Sequence, residues 1–302
     1  MWRYAVKLGV AAPHLGADAS PEGIVAFAER AEELGLDSLW ALERLLRVVD
    51  PKDGQVLPEA YGSVYSPLET LAFLAGRTST IRLGTSVLDA LFHSPAALAR
   101  QLATLDRLSD GRLLVGLGQG WSAEEFETVS VPMSRRGNGF EDFLAALTAA
   151  WAPDPVRYDG RFYRFAASEI SPKPVRPDGP PVLLGAVPGL AVPAQRAGRL
   201  GFGFNPGIYE WAGFETQLAA YLEAVPQGAR PGPVVVRVNG TVTAEPLGND
   251  RLPLVGDVAQ VREDLARVAS LGVDEVFWDL VQGGVPHAEH LGVLDRIVQL
   301  KD

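Results

Sequence analysis

Residues with chemical potential gather just after short apolar runs. Glu43 and Arg44 follow Asp37–Ala41 after one residue, Leu42. A carboxylate there can move a proton, and a guanidinium can hold an anionic or carbonyl group. The same two side chains can equally form a solvated or structural ion pair. His14 follows the run Ala5–Val10, and Asp89 and His93 follow Gly84-Thr85-Ser86-Val87. Each imidazole can donate a proton or satisfy a buried backbone group. Gly116-Leu117-Gly118-Gln119-Gly120-Trp121 lets backbone approach a flat ligand without interference from Cβ, or forms a tight turn. Its GxGxG spacing is not the dinucleotide fingerprint. Trp121 can cover a ring or fill a barrel mouth. Gly185-Ala186-Val187-Pro188-Gly189 precedes a helix, whose first N–H groups suit a phosphate. A plain strand-to-helix turn has the same composition. Glu124 and Glu125 open a helix, where acids favour the dipole in any case.

The elements behind these positions alternate. Strands are expected at Ala5–Val10, Asp37–Ala41, Ile81–Leu88, Arg112–Leu117, Pro181–Ala186, Gly201–Phe204, Pro233–Thr243 and Asp274–Leu280. Ser20-Pro21 and Ser94-Pro95 start helices, and Gly35 stops the first. Ser66–Glu69 and Ser122–Glu125 read as capping boxes. Longer helices are expected over Asn138–Trp151 and Trp211–Glu223, and from Asp257 to Leu271. A long loop spans Leu42–Tyr65. Residues 153–180 are rich in proline and aromatics, with a hairpin turn at Asp159-Gly160. They read as an insertion between strands four and five. Eight apolar strands, each followed by a helix, predict buried parallel strands in a (β/α)8 TIM barrel. A doubly wound sheet fits if Gly201–Phe204 is a loop. Both architectures bind ligands at the carboxyl ends of the strands.

Composition narrows the chemistry. The 302 residues contain no cysteine, which excludes disulfides, thiolate catalysis and cysteine-ligated metals. With only four histidines, no metal site is expected. Acids outnumber bases 37 to 27, the wrong balance for a nucleic-acid or anionic-membrane binder. Four lysines against 23 arginines leave few candidates for Schiff-base chemistry. No apolar run reaches membrane-spanning length, and no signal segment is apparent, so a cytoplasmic protein is expected.

Extended motifs then bear a family likeness. They are SLWALERLLRVVDP (Ser38–Pro51), SPLETLAFLAGRTSTIRLGTSVL (Ser66–Leu88), HSPAALARQLATLDRLSDGRLLVGLGQGW (His93–Trp121), EEFETVSVP (Glu124–Pro132), GRFYRF (Gly160–Phe165), SPKPV (Ser171–Val175) and PPVLLGAV (Pro181–Val187). Over roughly residues 5–205 the chain resembles the luciferase-like monooxygenase superfamily, and within it the coenzyme F-420-dependent oxidoreductases. The resemblance implies one barrel domain over residues 1–302, with a flavin or deazaflavin at its mouth. It implies a bulge, often with a non-prolyl cis peptide, at Ser86 and Val87 behind the cofactor ring. It places a glycine loop at Gly118 and Gly120 and a phosphate-binding turn at Gly185, Ala186 and Val187. Asp89 and Trp121 complete the expected cofactor-binding set.

The chain departs from the sugar-phosphate dehydrogenases of this type. Where they are expected to carry Asp-His and Glu, it has Glu43-Arg44 and Trp121. Sugar-phosphate oxidation is therefore not expected. The expected reaction is hydride transfer between F-420 and a small organic substrate. Glu43, Arg44 (electrostatic only) and His14 are the candidates for catalysis. The rival on the same barrel is an FMN-dependent monooxygenase, since a deazaflavin lacks the ring nitrogen that supports oxygen chemistry. A third reading is a carboxylate-based hydrolase using Glu43 with Glu124. The resemblance also implies a homodimer.

Overall fold

A computed structural model describes residues 6–52, 54 and 56–301. Its barrel strands are β1 (Lys7–Ala11), β2 (Ser38–Ala41), β3 (Arg82–Thr85), β4 (Leu113–Gly118), β5 (Val182–Ala186), β6 (Gly203–Pro206), β7 (Val235–Val238) and β8 (Glu275–Trp278). All pair in parallel, running β7-β8-β1-β2-β3-β4-β5-β6. Bridges Phe204↔Val234 and Gly207↔Arg237 join β6 to β7 and close the ring. The stretch expected at Gly201–Phe204 is thus a true strand, shifted two residues onward. It pairs with β5 from Leu183↔Gly203 to Ala186↔Pro206. That pairing removes the doubly wound alternative.

Two apolar layers hold the barrel. Inside it, Ala11, Trp40, Leu114, Leu183, Val235 and Phe277 form one cluster. Trp40 stacks on Phe277 with ring centroids 4.7 Å apart. The helices bury a second layer against the outside of the strands. In helix Pro21–Glu33, Ile24, Phe27, Ala28 and Ala31 lie on the inward stripe. Ser20 caps it by accepting from the Gly23 N–H, and Gly35 leaves it at φ +72°. Each large apolar side chain so buried contributes about 1.5–3 kcal/mol.

Local chemistry departs from expectation in four places. The third strand stops at Thr85, and the chain resumes pairing only at Leu88–Asp89, beside Leu117 and Gly118. The seventh strand shortens to Val235–Val238. Ser66 makes no cap to the backbone, because its hydroxyl turns to the Glu69 carboxylate. Ser122 does accept from the Glu125 N–H, but the Glu125 side chain is engaged elsewhere. The insertion contains the expected hairpin, Val156–Asp159 against Arg164–Ser168. Asp142 anchors it by accepting from the Tyr158 hydroxyl and the Phe162 and Tyr163 N–H groups.

Candidate active site

At the carboxyl end of the barrel lies a cavity of about 280 Å³, near the lower limit for a small-ligand pocket. Ser86, Val87, Asp89, Gly118, Gly120, Trp121, Gly185, Ala186 and Val187 all line it. Tyr61, Gln119, Arg136, Asn205, Tyr209, Arg237 and Asn239 line it too, and sequence reasoning missed them. Glu43, Arg44 and His14 are absent from the lining.

The floor is built where β3 breaks. The Ser86–Val87 peptide is cis. Val87 wedges between β4 and β5. A Cβ on Gly118 would come within 2.6 Å of one Val87 methyl, and one on Gly185 within 2.8 Å of the other. These glycines therefore admit Val87, whose isopropyl group becomes the cavity wall. Polar side chains clamp the break from the far side of the barrel. Ser86 Oγ donates to Asn205 Oδ1 at 2.7 Å, and Asn205 Nδ2 donates to Val235 O at 2.8 Å. Arg237 donates to Ser86 O at 3.0 Å, to Asp279 at 2.9 Å and to Asn239 at 2.9 Å. A polar residue inside each of the apolar strands β6 and β7 was the available signal for Asn205 and Arg237.

Behind the wall formed by Trp121 and Tyr61 sits a buried charge cluster. Arg44 Nε donates to Glu125 Oε1 at 2.7 Å, and its NH2 pairs with Glu125 Oε2. Glu125 is fully buried and also accepts from the Leu45 and Leu46 N–H groups. The Arg44 guanidinium lies 5.0 Å from the Trp121 ring centre and 5.8 Å from that of Tyr61. Arg44 thus backs the cavity wall. Glu43 accepts from the Asp89 N–H at 2.7 Å, and His93 Nε2 lies 2.9 Å from its carboxylate. Burial opposes charge on His93, but the Glu43 hydrogen bond and negative charge outweigh it and raise its pKa. Asp89 is pushed up to about 7, first by burial and then by the charge of Glu43.

The remaining candidates fall outside the cavity. His14 is completely buried, with ring nitrogens 2.8 Å from Ala12 O and 3.1 Å from the Leu42 backbone. Burial lowers its pKa. Glu124 accepts from the Lys52 N–H at 3.1 Å, an exposed contact.

The opposite end of the cavity suits an anion. The turn after β5 leads into helix Ala191–Arg199, whose start has no side-chain cap. Gln217 pins this turn by donating to Val187 O and Leu190 O at 2.7 and 2.9 Å. Arg136 reaches the cavity, and its buried Nε has no hydrogen-bond partner. Neighbouring Arg135 lies 4.3 and 4.8 Å from the ring centres of Phe162 and Tyr163. The hairpin insertion thereby fixes the backbone that presents Arg136.

A closed parallel barrel with a broken third strand and a cavity that joins an apolar floor to an anion-ready end defines a class of small-ligand-binding barrels. The chain belongs to the luciferase-like monooxygenase family, which it matches over residues 5–246. It is 40% identical over 134 residues to an uncharacterized protein of Mycobacterium tuberculosis, covering 44% of this chain and 47% of that one. It is 30% identical over 215 residues to the F-420-dependent glucose-6-phosphate dehydrogenase of Amycolatopsis mediterranei, covering 69% and 60%. The chain therefore spans about half to three fifths of the length of these relatives. Among solved structures, a monooxygenase from Streptomyces bottropensis superposes with a TM-score of 0.81 at 23% identity, over 97% of this chain and 98% of that one. The coenzyme F-420-dependent tetrahydromethanopterin reductase of Methanopyrus kandleri gives 0.77 at 16% identity, over 97% of each. These two likenesses concern the fold. Among the described residues no helix is long and apolar enough to cross a membrane, and no cluster of His, Asp and Glu could hold a metal.

Proposed function

We propose that this protein is an oxidoreductase that exchanges a hydride between coenzyme F-420 and a small organic substrate. One observation carries the reading. A single cavity joins the apolar wall at Val87 to the uncapped start of helix Ala191–Arg199 and to the Arg136 side chain. A planar ring with a phosphate-bearing tail fits that combination. Val87, with the bare backbone of Gly118 and Gly185, would support the ring. The 187–190 turn and Arg136 would hold the anionic tail. The deazaflavin, when bound, supplies the hydride chemistry. The chain supplies orientation and shelter from water, with Trp121 and Tyr61 as a wall held by Arg44.

Relatives at 30–31% identity named as F-420-dependent dehydrogenases support the deazaflavin. Their sugar-phosphate substrate is not extended to this chain, because Glu43, Arg44 and Trp121 stand where the resemblance expects other chemistry. The hydrolase reading is not favoured, since Glu43 is tied to His93 and Asp89 while Glu124 faces Lys52. Titrating the apoprotein with F-420 and with FMN, followed by fluorescence, tests the proposal. Tighter binding of F-420 is expected. Tighter binding of FMN would overturn it in favour of a flavin monooxygenase.

A further inference from the structure

The charges behind Trp121 do not balance. Three carboxylates (Glu43, Asp89 and Glu125) share two cations, Arg44 and His93. Glu125 takes Arg44 through two contacts, and Glu43 takes His93. Asp89 is left with the Gly120 N–H, a neutral donor, and with Arg44 NH2 at 3.9 Å, beyond hydrogen-bonding distance. Its side chain is only 8% exposed, and the cavity is the space it lines. A buried carboxylate without a close cation is relieved by taking up a proton. Glu69 adds a further negative charge on the His93 side.

Asp89 is the only carboxylic acid among the described residues that line this cavity, and no histidine or lysine joins it. Arg136 and Arg237 keep their charge under all working conditions. Burial moves the Tyr61 hydroxyl further from titration at neutral pH. Resting on the cofactor reading above, we propose that Asp89 is the residue that exchanges the proton accompanying hydride transfer. Glu43 and His93 act as positioning residues, Glu43 by holding the Asp89 backbone.

In the reductive direction a polarised C=O or C=N substrate gains a hydride at carbon from the reduced cofactor, which is thereby oxidised. It gains a proton at oxygen or nitrogen from the Asp89 carboxyl. The substrate π bond and the Asp89 O–H bond break, a C–H bond and an O–H or N–H bond form, and Asp89 becomes a carboxylate. Oxidation reverses each change. One acid in the cavity matches the one proton required per hydride.

The test compares wild type, Asp89→Asn and Glu43→Gln. Infrared difference spectra of the protein alone should show a protonated carboxyl titrating with a midpoint of about 7. Asp89→Asn should lose that band, and Glu43→Gln should move its midpoint to lower pH by removing a neighbouring negative charge. A ring covering Asp89 favours its neutral form. F-420 affinity in the wild type should therefore fall above neutrality, by up to about tenfold per pH unit. In Asp89→Asn it should lose this dependence. Calorimetry of F-420 binding in two buffers should show proton uptake in the wild type that Asp89→Asn lacks. F-420 binding with no titrating band at Asp89, or with the same pH dependence in both proteins, overturns this inference alone. Failure of F-420 to bind at any pH overturns the cofactor reading and this inference with it.

Discussion

Replacing Glu125 by alanine should unfold the wall of the cavity before it touches any ligand. The Arg44 side chain is 4% exposed and that of Glu125 is fully buried, so neither charge reaches water. Removing the carboxylate leaves a buried guanidinium with Asp89 as its nearest anion, at 3.9 Å. Breaking one side of such a pair costs about 3–5 kcal/mol. The Leu45 and Leu46 N–H groups lose their acceptor as well. At about 2 °C per kcal/mol for a chain this long, Tm should fall by roughly 6–10 °C. Because Arg44 also lies under Trp121, tryptophan fluorescence should report a loosened ring below the transition. The control is the double variant Arg44→Met/Glu125→Leu. It removes both charges and fills the volume, so it should lose only about 0–2 kcal/mol. Urea unfolding of Arg44→Met, Glu125→Leu and the double closes the cycle. A loss under about 1 kcal/mol in Glu125→Ala, or a double as damaged as the sum of the singles, would show that the Arg44–Glu125 pair does not hold the wall.

Three more outcomes follow from the site. Burial raises Asp89 from 3.8 to about 7, so between these values the folded chain holds a proton that the unfolded chain has lost. Stability should therefore fall as pH rises from about 4 to 7 at this residue, and Asp89→Asn should gain stability at pH 8 but not at pH 4, with ~4 kcal/mol as the upper limit; urea melts at the two pH values decide, and a wild type more stable than the variant at pH 8 would contradict the assignment. Gly118→Ala should lose about 1–3 kcal/mol by driving a methyl into Val87, and Val87→Ala should suppress most of that loss in thermal melts. Arg136→Ala should weaken F-420 binding about 10- to 100-fold, the worth of one charge-assisted contact, whereas an unchanged Kd would remove Arg136 from the anion end.

Many of the positions that line the cavity were legible because a parallel barrel delivers strand ends to one mouth. Val87, Gly118 and Gly185 lie just where apolar runs stop, and no long-range information is needed to find them. Their division of labour was not legible. Only register shows that Val87 fills the space left by Gly118 and Gly185, so the missing Cβ at each glycine admits the Val87 side chain. Asn205 and Arg237 were missed because they sit inside short strands that face Ser86 only when β6 meets β7 across the closed ring. Arg44 read as a substrate contact because its true partner, Glu125, is 81 residues away and looked like a helix-start acid. His14 shows the same limit, since a histidine after a strand gives no sign that Ala12 and Leu42 already occupy both ring nitrogens.

A crystal structure of the complex with F-420 decides whether this cavity is the cofactor site. The ring is expected against Val87 between Gly118 and Gly185, with the phosphate at the 187–190 turn beside Arg136 and Asp89 bordering the ring. A cofactor bound elsewhere, such as the cavity lined by Asp18, Arg47 and His287, would contradict it. So would a ring in place with its phosphate directed away from Arg136.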